Sequence, residues 1–128
     1  MGERPTKTEL IEAVSRFLEQ ELLPDLEGVQ RFHARVALNA LSIVRREIDL
    51  ERPNLLAQLS RLRALLERDE ACPEDPAELD GVVDGMEAEL CTRIREGEAD
   101  EPAFRARLLE HLRETTRERL AVANPRYR

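Results

Sequence analysis

"GVQRFHARVALNALSIVRREI", residues 28–48, is the stretch whose reading decides the fold. At 100° per residue, Val29, Phe32, Val36, Ala37, Ala40, Leu41, Ile43, Val44 and Ile48 fan across roughly half of a helix circumference. An exposed helix needs an apolar stripe of only about 100°. The segment from Val29 to Glu51 therefore reads as a central helix, covered by neighbours on two sides. His33 stands in the middle of that face. Burial there favours the neutral ring, which still needs a donor and an acceptor. Val29, Val36, Ala37 and Ala40 supply neither, and Glu47, on the same face, is about 21 Å away along the axis. His33 is thus expected to be a core or interface residue held by a polar group of another helix, with a ligand-binding role as the alternative.

Working outward, the pattern stays helical, with no sustained two-residue alternation. "TKTE" before Leu10 has capping-box form, with Thr6 and Glu9 able to satisfy each other's backbone amides. Leu10, Val14, Phe17 and Leu18 carry that first helix, and Pro24 ends it. A third helix is expected to open at Pro53, a favourable first-turn residue, with Leu55, Leu59, Leu62 and Leu66 as its seam. The segment "DEACPEDPAELDG" interrupts it with two prolines and an acidic run, a loop suited to cleavage or insertion. Leu79, Val83, Met86, Leu90 and Ile94 mark a fourth helix. Gly81 and Gly85 each weaken it by about 1 kcal/mol relative to alanine, so its secure part is expected near Val82. Gly97 provides its stop. The last helix runs from Pro102 to Ala123 on Phe104, Leu108, Leu112, Thr115 and Leu120, with Asp100 as its expected N-cap. The expectation is an all-α, single-domain helical bundle over residues 1–128, with about five helices.

The chain has 128 residues, 41% hydrophobic and 37% charged, against a typical charged share of about 25%. That surplus, with few aromatics, suits long helices carrying ion pairs on their wet faces. Lysine appears only at Lys7 among 20 basic residues, a bias that suggests a GC-rich bacterial genome. Apolar runs are too short to span a bilayer. The N-terminal stretch lacks the apolar core of a signal peptide, so a cytoplasmic location is expected. There Cys72 and Cys91 are expected as free thiols. Residues 53–101 carry 5 basic and 14 acidic groups, whereas residues 102–128 carry 7 and 3. A basic last helix lying against acidic neighbours accounts for this; an acidic patch over residues 67–101 for a basic partner is the sharper reading. An acidic chain without aromatics interleaved among its arginines does not fit nucleic-acid binding.

No phosphate-binding glycine loop, HExxH or GxSxG sequence occurs. Ser15, Ser42 and Ser60 lack an adjacent base. Neither histidine follows a glutamate by three positions, which counts against a di-iron bundle. No catalytic residue, metal ligand or cofactor is assigned. His111 reads as a boundary residue of the last helix. Arg35, Asn39, Ser42 and Arg46 form a polar line along the second helix, fit either to pair with carboxylates of the first or to bind an acidic group. Tyr127, the only tyrosine, follows Arg126 in "NPRYR" and is expected to fold back or to reach a partner.

Four stretches, "RPTKTELIEAVSRFLEQELLP", "FHARVALNALSIVRREI", "ELCTRIREGE" and "HLRETTRERLAVANPRYR", together resemble a bacterial family of short all-helical domains of unknown function. The resemblance covers nearly the whole chain and is most distinctive at "FHARVA" and "NPRY". It implies genes placed near aminoglycoside-phosphotransferase-like kinases and acyl-CoA dehydrogenases, and it transfers no activity. It marks Phe32, His33, Arg35, Asn124, Pro125, Arg126 and Tyr127 for testing. The functional expectation is a non-catalytic accessory domain that binds a protein partner or its own copies, with no nucleic acid and no membrane. The rival is a small-molecule site, for a phosphorylated or acyl-CoA intermediate, with His33, Arg35, Asn39, Arg126 and Tyr127 as candidate binding residues.

Overall fold

Thr6 caps the first helix as its sequence predicts. Its hydroxyl accepts from the Glu9 amide at 3.1 Å, and the Glu9 carboxylate accepts from the Thr6 amide at 3.1 Å. The computed structural model describes residues 4–69 and 71–126. Its α-helices are α1 (Lys7–Phe17), α2 (Gly28–Leu66), α3 (Pro76–Arg95) and α4 (Pro102–Ala123). A π-helical turn at Leu18–Leu22 and a 3₁₀ turn at Leu23–Asp25 carry α1 past Pro24, and a second 3₁₀ turn covers Glu98–Asp100. No strand occurs among the described residues, so the chain is all-α.

The helix count corrects the sequence expectation of five. The segments expected as a second and a third helix form one helix of 39 residues, with Pro53 inside it. An internal proline costs about 3 kcal/mol through its missing amide and the clash with the preceding turn. Ending one helix and starting another would instead leave several carbonyls and amides of the two new ends to be satisfied by caps or water. Continuity prevails. α3 also begins earlier than expected, at Pro76, because the Asp75 carboxylate accepts from the Ala77 amide at 3.0 Å. α4 has the expected bounds, but Glu101 rather than Asp100 caps it, accepting from the amides of Ala103 and Phe104.

The chain divides into two compact units, residues 1–50 with 121–128, and residues 51–120. The second unit holds the core. Leu55, Leu59, Leu62, Leu65 and Leu66 of α2, Leu79, Val83, Met86 and Leu90 of α3, and Phe104 and Leu108 of α4 are all buried. Each contributes about 1.5–3 kcal/mol relative to exposure. The leucine seam read from the sequence is thus the backbone of this three-helix packing.

In the first unit α1 and residues 28–50 of α2 form an antiparallel hairpin. Thr8 donates to Asp49 at 3.3 Å, Glu12 pairs with Arg45 at 2.7 Å, and Arg31 donates to the carbonyl of Leu23 at 2.8 Å. None of the described residues of this unit is buried. Here the expectation of a central helix fails. Val29 is 70% and Phe32 64% exposed, and His33 is exposed with them. The half-turn of apolar residues needs two covering elements. The half-buried positions Ala34, Leu38 and Leu41 share the side of α2 that holds Arg45, where α1 is tied. The side bearing Val29, Phe32 and Val36 stays in water.

α2 ends in a residue other than glycine with left-handed backbone: Glu67 has φ 55°. Arg68 donates its amide to the Arg63 carbonyl at 3.0 Å, the six-to-one bond of a Schellman ending. A left-handed conformation costs a residue with a Cβ about 1 kcal/mol or more. Glu67→Gly is therefore expected to stabilise the protein by about 0.5–1 kcal/mol, net of glycine's larger unfolded-state entropy. A urea titration followed by circular dichroism checks it; an unchanged or lower midpoint contradicts the assignment.

Candidate functional site

Where α2, α3 and α4 meet in the second unit, the apolar stripe of α4 turns polar. Phe104 and Leu108 are followed at i+7, i+11 and i+14 by His111, Thr115 and Glu118. His111 is 3% exposed, the one buried polar side chain among the described residues. Arg61 of α2 reaches into this row. Its Nε donates to His111 Nδ1 at 3.1 Å, and its Nη2 donates to Thr115 Oγ1 at 3.1 Å. Its two terminal nitrogens grip Glu118, Nη1 to Oε2 at 3.0 Å and Nη2 to Oε1 at 2.8 Å. On the far side of the ring, His111 Nε2 lies 3.1 Å from Glu87 Oε1 of α3.

The protons in this chain follow from donor capacity. A guanidinium only donates, so His111 Nδ1 must accept, and Nε2 carries the hydrogen and donates to Glu87. The hydrogen bond to Glu118 raises the pKa of Arg61 above its ordinary value. Burial opposes this, while the charges of Glu118, Glu114 and Glu87 add to the increase. The parallel two-bond grip on a carboxylate is a geometry that arginine makes and lysine does not.

A carboxylate hydrogen-bonded to an imidazole is half of a general-base constellation. The working half is missing: the lone pair that would take a substrate's proton is already occupied by Arg61. Both ring nitrogens of His111 are satisfied within the fold, and the ring is dry. In this arrangement the cluster joins three helices, with one ring nitrogen of His111 engaged by Arg61 and the other by Glu87.

The two histidines exchange the places expected of them. His111, read as a boundary residue, is the buried one. His33, read as dry, is exposed, with its ring 5.7 Å from Phe32 in an edge-on contact. The signal for His111 was present. Positions 104, 108, 111, 115 and 118 keep a strict 4-3-4-3 spacing, whereas preferring Leu112 to His111 as the more apolar neighbour rotates the stripe by about 100°. Leu109 and Leu112 are both about half exposed.

Arg35 and Asn39 are exposed on α2, and Arg126 is exposed beyond the end of α4. Positions two apart on a helix do not face each other, so His33 and Arg35 point to different sides and do not converge on one ligand. Tyr127 lies outside the described residues. Of the polar line on α2, Arg46 donates its Nε to the Val122 carbonyl at 2.8 Å. Arg45, which is not part of that line, reaches the first helix at Glu12. Four of the α4 arginines make contacts other than the expected ones with acidic side chains of neighbouring helices. Arg113 and Arg117 pair with Glu110 and Glu114 on their own helix, and Arg105 and Arg107 donate to the carbonyls of Ala99 and Ala64.

Open clefts among the described residues include three with defined linings. One of about 260 Å³ in the second unit is lined by Leu65, Phe104 and mixed charges that include Arg93 and Glu101. Two in the first unit, of about 350 and 280 Å³, lie along α1 near Arg16 and Gln20. His33, Arg35 and Asn39 line none of the three. Among the described residues no group of three His, Cys, Asp or Glu side chains is placed to hold a metal ion, and no helix is long and apolar enough to cross a membrane.

Compared with known families, residues 24–127 match the model of a domain of unknown function, DUF6285. No curated protein and no solved structure matches the chain.

Proposed function

The chain belongs to the DUF6285 family of domains of unknown function, and from its two units we propose that it is a non-catalytic accessory domain acting by protein binding. One contrast carries this reading. The buried ring of His111 has both nitrogens engaged by partners of its own chain, whereas the hairpin of α1 and α2 leaves large apolar side chains in water. Exposed apolar area of this kind is what interaction surfaces are made of. The finer assignment is an accessory to a phosphotransferase-like kinase or an acyl-CoA dehydrogenase system in a bacterial cytoplasm, as the sequence resemblance implies.

Affinity capture with the full chain from its native cells tests it, followed by reconstitution from purified components. Stoichiometric retention of such a kinase or dehydrogenase is the expected outcome. Retention of neither removes the finer assignment. The rival small-molecule reading is the second choice, because His33 lies on a different side of α2 from Arg35 and Asn39.

A further inference from the structure

The bare side of α2 calls for a specific occupant. Val29, Phe32, Val36 and Val44 are all exposed, with His33, Ala37 and Ala40 exposed between them. At 100° per residue these positions lie roughly opposite Arg45 and Asp49, the residues that tie α2 to α1. They form an outer stripe that the hairpin itself does not cover. α1 adds a shorter exposed stripe of its own at Leu10, Val14 and Phe17.

Area and charge together select the occupant. The four large side chains of the α2 stripe leave on the order of 400 Å² in water, taking ordinary whole-residue areas for valine and phenylalanine. A standard interface removes about 800 Å² per partner, a little over half of it apolar, so one stripe supplies nearly the apolar core that a pairwise interface needs. The stripe contains no charged side chain between Val29 and Val44. Residues 1–52 carry 8 basic and 10 acidic groups, close to balance, against 5 and 14 over residues 53–101. Two copies of an acidic chain therefore repel least at this end. An uncharged apolar stripe is also self-complementary, as a two-fold interface requires.

We infer that the outer stripe of α2 is a self-association surface, on which a second copy of this chain seats the same stripe across a two-fold axis, with Phe32 and Val36 at its centre. This rests on the protein-binding reading and names the partner.

Light scattering coupled to size exclusion, on the full chain under reducing conditions, tests it; the reductant matters because Cys72 and Cys91 are both free and exposed. The wild type is expected at twice the chain mass at tens of micromolar. Phe32→Asp and Val36→Asp are expected at the single mass with unchanged helicity, because neither side chain is buried in the isolated chain. The milder Phe32→Ser is expected to weaken the dimer at least tenfold. Leu109→Asp, at an exposed leucine of the second unit, is expected to leave the dimer intact. A wild type that stays at single mass at high micromolar overturns the inference. So does a dimer that survives both aspartate variants. A single-mass wild type that still retains a partner protein, and loses it on Phe32→Asp, overturns self-association alone and leaves the binding reading standing.

Discussion

Leu62→Ala is expected to lower stability by about 3 kcal/mol or more, the usual range for emptying a leucine site that cannot collapse. Leu62 is completely buried, at the centre of the seam where α2 meets α3 and α4. The same change at Leu112, also leucine and also on a helix of this unit, is expected to cost less than about 1 kcal/mol, since that side chain is 47% exposed. Urea denaturation of the two variants beside the wild type separates them. Equal losses would mean that the α4 stripe runs through Leu112 after all, and that the core is misplaced by one position.

A second large effect is expected at Arg61. Its side chain is 21% exposed and that of Glu118 16%, so solvent relieves little of the loss. Replacing Arg61 by leucine leaves the Glu118 carboxylate without its two-bond partner and His111 Nδ1 without a donor. The expected cost is about 2–4 kcal/mol, the range in which stranding a largely buried charge and a ring nitrogen places it. Adding Glu118→Leu to that variant should recover part of the loss, because removing both partners leaves no stranded charge. The double variant is thus expected to be less destabilised than the sum of the singles, with a coupling of about 1 kcal/mol or more. A single Arg61→Leu variant within about 0.5 kcal/mol of wild type would show that the chain of contacts from Glu87 to Glu118 carries no weight.

Local signals in the sequence proved dependable where the physics is local. The Thr6–Glu9 box, the bounds of α4 and the stop at Gly97 depend on a few adjacent residues, and each forms as read. The leucine seam from Leu55 to Leu66 was legible because four residues at helical spacing leave little freedom in choosing the inner face. Pro53 favours a helix start locally, but a continuous helix pairs the backbone on both sides of it and prevails. The burial of residues 28–50 could not be read from their pattern at all. A wide apolar fan says that cover is favourable; it does not say whether that cover comes from the same chain. His111 shows the converse, for only three helices brought together reveal that a polar stripe can be dry when Arg61 and Glu87 arrive from elsewhere. The network was hidden because its members are 24 to 57 residues apart.

The hydrogen bond from Arg46 to the carbonyl of Val122 joins residues 76 positions apart. During synthesis, α1 and the start of α2 leave the ribosome long before that carbonyl exists. At about 5–20 residues per second the interval is on the order of 4–15 s. Until then the nascent hairpin lacks its closing contact, and once clear of the ribosome Phe32 and its neighbours face solvent. The outer stripe of α2 is thus open to contact before the chain is complete.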